Sequence, residues 1–144
     1  RRAVAAEDFF VDYLTTSLAE GEMVSAILLP AQPEGAVGHY EKFARVHGDY
    51  ATLSVAVVLA MKSGECRFVR VALGAAGPTP VRVPDAEARL LGSALDAQAV
   101  RAASALLIDA CDPMDDVRGS AEYRLMLVPR LLARALAAAQ EGAP

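Results

Sequence analysis

Tryptophan and asparagine are absent from the 144 residues, and cysteine, histidine and lysine occur only twice each. Cys66 and Cys111 lie far apart, with no C-x-x-C and no nearby histidine pair, so neither a disulfide framework nor a zinc site is indicated. Reduced thiols and a cytoplasmic location are the expectation. Positive charge is scarce as well. Fourteen Lys and Arg against eighteen Asp and Glu leave a net charge of −4, so no general basic field exists to hold a phosphate backbone, and nucleic acid is not an expected partner. The longest nearly continuous apolar stretch, Leu53–Met61, is broken by Ser54 and reaches about half the length of a bilayer span, so no transmembrane helix is expected. The chain opens Arg1-Arg2-Ala3-Val4 without an initiating Met or the apolar core of a signal peptide, which reads as a piece of a longer protein.

What remains is a globular composition. With 54% hydrophobic and 22% charged residues, ten Gly and eight Pro, the chain is neither disordered nor collagen-like. At this length one core can remove about two thirds of the unfolded surface from water. Arginine outnumbers lysine twelve to two, a bias that singles out each lysine. Lys62 belongs to the hairpin connection Lys62-Ser63-Gly64-Glu65 and needs no further account. Lys42 has no such explanation.

Phe9-Phe10-Val11 and Tyr13-Leu14 form an aromatic-rich entry, followed by Thr15-Thr16-Ser17 and a turn at Glu20-Gly21-Glu22. Met23–Leu29 reads as a buried strand ended by Pro30. Ala31-Gln32-Pro33-Glu34-Gly35 is a loop and the best internal boundary. Three strand-like runs follow, Gly38–Val46, Leu53–Met61 and Cys66–Leu73, with links short enough for an antiparallel meander. The period then changes to helical. Asp85 is the expected N-cap of a short helix ending at Gly92, Asp96 caps a longer one through Val100, Ala103, Leu106 and Leu107, and Ser120 caps a final helix that Pro129 in its interior is expected to kink. The expected fold is α+β, a three- to four-stranded antiparallel sheet followed by and packed against three helices.

His39 and His47, eight apart around a strand, are poorly spaced for one metal and read as surface or loop histidines. Gly74-Ala75-Ala76-Gly77 is followed by Pro78-Thr79-Pro80, where a phosphate-binding loop would need backbone N–H donors, so it reads as a rigid turn. Asp109, Asp112, Asp115 and Asp116 crowd one stretch near Arg118; helix capping and an ion pair with Arg118 explain them without a metal. No Ser-His-Asp or Cys-His arrangement emerges. The helix of Ala133–Ala139 is equally explained by partner docking and by composition. In Tyr40-Glu41-Lys42-Phe43-Ala44-Arg45, strand alternation sets Tyr40, Lys42 and Ala44 on one face, where the ammonium either meets a planar ligand or is simply solvated.

The run Glu20-Gly21-Glu22-Met23-Val24, then Leu28-Leu29-Pro30, Tyr40-Glu41-Lys42 with Asp49-Tyr50-Ala51, Ala72-Leu73-Gly74 with Pro78-Thr79-Pro80, and Arg118-Gly119-Ser120-Ala121-Glu122-Tyr123-Arg124 with Arg134-Ala135-Leu136, resembles the FAD-binding medium subunit of the molybdenum hydroxylases. The likeness is to its C-terminal part, of the carbon monoxide dehydrogenase and xanthine dehydrogenase type. It implies that residues 1–30 end an FAD-binding domain and that residues 38–141 form the subunit's C-terminal domain. It also implies an oxidoreductase subunit whose FAD relays electrons to an external acceptor. Molybdopterin and two-iron two-sulfur clusters would lie in partner subunits, a large molybdenum subunit and a small iron–sulfur subunit.

The glycine-rich loops for the FAD pyrophosphate would belong to the preceding FAD-binding domain, so this chain would not be active alone. Carried over residue by residue, the resemblance makes Val24 the apolar residue packed against the isoalloxazine and Lys42 the lysine at its edge. Asp49 and Tyr50 fall in the segment that approaches the ring. No catalytic and no metal-ligating residue is implied. The alternative is a non-catalytic interaction or dimerisation module that keeps the fold without flavin.

Overall fold

Residues 1–46 and 48–142 are described by the computed structural model, so His47 lies outside the described residues. A one-turn helix α1 (Ala6–Phe9) runs into β1 (Phe10–Asp12), which pairs antiparallel with β2 (Thr15–Thr16). The aromatic-rich entry is therefore a small ribbon. Its turn holds Leu14 at φ 52°, a left-handed conformation that leucine rarely adopts. Arg2 reaches across to Glu22 with Nε and Nη2 at 3.0 and 2.7 Å and ties the chain start to the following turn.

Met23–Leu29 departs from expectation. It forms no strand, and Met23, Ile27, Leu28 and Leu29 are each more than 80% exposed. A strand needs a ladder partner and a cover for its apolar face, and neither is supplied to this run among the described residues.

The main sheet follows the alternation in the sequence. β3 (Val37–Phe43), β4 (Leu53–Lys62) and β5 (Glu65–Gly74) pair antiparallel in the order β3-β4-β5. Ser63 and Gly64 join β4 to β5 with φ 53° and 80°, the two consecutive positive values of a tight hairpin that matches strand twist. One extra residue near Arg67 shifts the register between Ala60 and Met61, so Cys66 and Val69 both reach the core. Leu53, Val55, Val57 and Leu59 of β4 and Val69, Val71 and Leu73 of β5 are fully buried. On the edge strand β3, Val37, His39, Glu41 and Phe43 are half-buried, while Tyr40 and Lys42 point to the opposite, exposed face.

Three helices follow, two of them packed on the buried face and the middle one packed against those two. The first, α2 (Pro84–Leu90), begins with Pro84 at its first position and has Val83 as N-cap, with no side-chain cap. Asp85 is thus inside the first turn, where its charge favours the helix dipole, rather than the cap expected of it. The next, α3 (Ala97–Asp109), is capped by Asp96, which accepts from the Gln98 and Ala99 amides at 2.9 Å. The last, α4 (Ala121–Glu141), is capped by Ser120 and runs through Pro129 without interruption. Apolar residues at helical spacing on α4, Leu127, Val128, Leu131, Leu132, Ala135 and Leu136, join the core of the sheet. The alanines at 135 and 139 are packing positions in this core.

One buried charge stitches α2 to β5. Glu87 accepts the Val71 amide at 3.1 Å and pairs with Arg82 at 2.8 and 3.0 Å and Arg70 at 3.4 Å. Each carboxylate oxygen therefore has a donor, as a buried anion requires. The architecture is α+β with a three-stranded sheet under three helices; α1 and the β1–β2 ribbon are additions to the expected set.

Candidate functional site

The functional candidates gather at one end of the sheet, where the β3–β4 turn meets the segment that precedes α4. Thr52 closes the turn by donating its amide to the Phe43 carbonyl at 2.8 Å, and its hydroxyl donates to the Arg118 carbonyl at 3.2 Å. Gly119 eases the fit at this junction: a Cβ there would lie 3.2 Å from both Thr52 Cγ2 and Tyr123 Cδ1, tight enough that these side chains would have to give by a few tenths of an ångström. The close approach lets residues 116–120 lie against the turn.

Two arginines organise the junction. Arg124, on the first turn of α4, is 3% exposed. Its guanidinium donates to the carbonyls of Thr52 and Ala75 and pairs with Asp116, while its Nε has no partner. Asp116 also accepts the Arg118 amide at 2.7 Å. Arg118 in turn donates from Nε to Asp49 Oδ1 at 3.3 Å and lies over the Tyr50 ring, 5.1 Å from its centroid. Asp49 accepts the Tyr50 amide at 2.7 Å, and its carbonyl accepts Lys42 Nζ at 3.0 Å. An unbroken series of contacts thus leads from a buried arginine on α4 to the exposed lysine on β3.

Lys42, Asp49 and Tyr50 are brought together. Val24 is half-exposed on the uncovered Met23–Leu29 stretch and shares no hydrogen bond or ladder with that turn among the described residues. Beside the turn is an open cleft of about 540 Å³ lined by Tyr13, Leu14, Tyr40, Tyr50, Arg118 and Arg124, among others. Lys42 stands outside that lining. Tyr40 and Tyr50 are 60% and 79% exposed, so both rings offer surface to a planar partner.

The acidic stretch serves the junction. Asp115 accepts the Ala121 amide and Asp116 the Arg118 amide, while Asp49 and Asp116 both pair with arginine. Among the described residues no group of three His, Cys, Asp or Glu could hold a metal. Burial pushes the Cys111 thiol up to about 11 and the Cys66 thiol upward as well, which removes both as nucleophiles near neutral pH. No helix of the described residues is long and apolar enough to cross a membrane.

The donated Tyr50 amide, helped by Arg118, holds the Asp49 carboxyl below its usual range, and the Arg118 amide, helped by Arg124, does the same for Asp116. The Arg2 fork, with the Ala19 amide, lowers Glu22 to about 2. Each of these groups binds protons more weakly folded than unfolded, so its stabilisation is complete above the unfolded value and is lost as pH falls through the folded one. The urea midpoint is therefore expected to stay level from about pH 7 to about pH 5 and to fall progressively from about pH 4.5 toward pH 2. A decline already complete by about pH 5 would contradict these assignments.

Reading along the chain alone misses Arg124. Its signal is positional: it lies three, four and seven residues before Leu127, Val128 and Leu131 on the buried stripe of α4, where a lone arginine must find acceptors. Glu87 carries the same signal beside Ala86 and Leu90.

Residues 38–139 match the family described as the CO dehydrogenase flavoprotein C-terminal domain. The chain is 38% identical over 139 residues to the carbon monoxide dehydrogenase medium chain of Hydrogenophaga pseudoflava, covering 96% of this chain and 48% of that one. It is 40% identical over 136 residues to the nicotine 6-hydroxylase medium subunit of Paenarthrobacter nicotinovorans, covering 94% and 47%. Its fold superposes on the crystal structure of a cyanide-inactivated Cu,Mo-CO dehydrogenase with a TM-score of 0.94 at 39% identity, covering 99% of this chain and 50% of the other. The chain spans about half the length of the curated relatives it matches.

Proposed function

The chain belongs to the CO dehydrogenase flavoprotein C-terminal domain family, and from that premise we propose that it completes the flavin site of an FAD-containing medium subunit of a molybdenum hydroxylase. In this reading residues 38–141 form the domain that faces the flavin ring. Residues 1–30 belong with the FAD-binding half, and the exposed apolar side chains of Met23–Leu29 are covered by it. The partners are a small iron–sulfur subunit and a large molybdenum subunit. The cytoplasm is the proposed location, consistent with two unpaired cysteines.

The observation that carries the reading is the Lys42 ammonium held by the carbonyl of Asp49, the residue that precedes the exposed Tyr50. Its donor set fits a flavin. One of the three ammonium donors is used by Asp49, which leaves two for a ring oxygen or nitrogen. Arg118 covers part of Tyr50 and leaves ring surface free for stacking. The diphosphate is a different matter. Residues 74–77 are closed by the pairing of Leu73 with Val81 and followed by Pro78, so their backbone cannot form a phosphate cradle. The diphosphate is assigned to the FAD-binding half.

Bound FAD would supply the redox chemistry that links the iron–sulfur clusters to an external acceptor. Lys42 sets a positive charge beside the ring edge that gains electron density on reduction, favouring the reduced form and raising the potential. Val24 supplies an apolar contact that excludes water and strengthens the effect of that charge. Asp49 aims the ammonium through its carbonyl, and Tyr50 covers the ring.

Lys42→Ala in the full-length subunit is expected to lower the flavin midpoint potential by roughly 20–40 mV, the two-electron equivalent of about 1–2 kcal/mol, with Lys42→Arg retaining most of the wild-type value. An unchanged potential with unchanged FAD content removes Lys42 from the site. A full-length chain that binds no FAD favours the interaction-module alternative.

A further inference from the structure

The Tyr50 ring beyond the β3–β4 turn and the Lys42 side chain of β3 are both exposed. Such a turn has little packing of its own to fix it. Arg118 contacts it from outside in two ways at once. Its Nε holds the Asp49 carboxylate at 3.3 Å, and its guanidinium carbon lies 5.1 Å from the Tyr50 ring centroid. Arg118 is itself anchored at both ends of its backbone unit, since its amide donates to Asp116 and its carbonyl accepts the Thr52 hydroxyl. Asp116 is fixed by the buried Arg124, and the Asp49 carbonyl holds Lys42 Nζ.

We propose that Arg118 is a positioning residue for the flavin-facing turn: it clamps the Asp49 side chain and the Tyr50 ring together, and through the Asp49 carbonyl it sets the direction of the Lys42 ammonium. This rests on the flavin reading of the same turn. A planar guanidinium suits the task because it can pair and stack in one conformation, whereas an ammonium can only pair. Arg118 acts through Asp49 and Tyr50 and needs no contact with the cofactor.

The test uses the full-length FAD-loaded subunit with Arg118→Met, Arg118→Lys, Asp49→Asn, Tyr50→Ala and Lys42→Ala. The readouts are the visible circular dichroism of the flavin, its midpoint potential and the FAD dissociation constant. Arg118→Met is expected to lower the potential in the direction of Lys42→Ala and to change the dichroism as Tyr50→Ala does. FAD binding should weaken roughly three- to tenfold. Arg118→Lys keeps the charge and loses the stacking, so it should restore the potential more than the dichroism. Arg118→Met and Tyr50→Ala combined should change the dichroism by less than the sum of the two, because one contact is lost twice. If Arg118→Met does not fold, Asp49→Asn weakens the same clamp from the other side and is expected to change the flavin dichroism as Arg118→Met does, the dichroism being the deciding readout for this variant because the lost carboxylate charge by itself raises the potential.

Flavin signals altered by Tyr50→Ala and Lys42→Ala but not by Arg118→Met or Asp49→Asn would overturn the clamp and leave the flavin reading standing. Signals altered by none of these variants would overturn both.

Discussion

Arg124→Ala is expected to lower the unfolding free energy of the 144-residue chain by about 4 kcal/mol, and Arg124→Met by about half as much. The guanidinium donates to the carbonyls of Thr52 and Ala75, and Thr52 is itself buried. Those acceptors lose a charged donor in either variant, which costs about 1.5–3 kcal/mol. Asp116 adds little, because its side chain is 40% exposed and water can replace the arginine. Some of the loss is offset, since the unpartnered Nε no longer has to be buried. Met retains the apolar stem that packs along α4, whereas Ala also loses that packing. At this chain size the Ala variant should melt about 10 °C lower. Equal destabilisation by Met and Ala in urea unfolding would show that the stem contributes nothing, contrary to its place on the buried stripe.

Leu132→Ala should cost about 3 kcal/mol, within the usual range of about 2–5 kcal/mol for a buried leucine. Leu132 is fully buried on α4 and shares a core with Leu53, Val55, Val57 and Leu59 of β4. The truncation removes transfer energy and leaves a cavity between a helix and a sheet, two rigid elements that collapse poorly onto it. The urea midpoint should fall while the dependence on denaturant stays constant. A loss below about 1 kcal/mol would mean that α4 shifts to fill the gap. Such a shift would also move Arg124 and the junction it anchors.

The main sheet and its helices were legible because each is determined locally. Alternation in β4 and β5, the two-residue Ser63-Gly64 turn and the caps at Asp96 and Ser120 each depend on a few neighbouring residues. Met23–Leu29 differs from its expected strand for the opposite reason. Its apolar run is the composition of a buried strand, but burial is decided by a partner, and none is present among the described residues. Asp85 lies inside the first turn instead of at the cap because Pro84 fills the first helical position and Val83 precedes it without a side-chain cap.

The site divides in the same way. The face of Tyr40 and Lys42 follows from strand alternation. The contact of Lys42 with Asp49 crosses seven residues, and that of Arg118 with Asp49 crosses sixty-nine, so only the folded chain brings them together. Arg124 and Glu87 were readable in principle as lone charges on apolar stripes. Their acceptors, the Thr52 carbonyl and the Val71 amide, come from the sheet and were not.

In the proposed site, Lys42 and Tyr50 meet the flavin ring. The most direct measurement is an experimental structure of the full-length subunit with FAD bound. The expected result is the Lys42 ammonium within hydrogen-bonding reach of the ring edge and the Tyr50 side chain in contact with the ring. A ring seated elsewhere, with Lys42 and Tyr50 both facing solvent or a partner subunit, would contradict it.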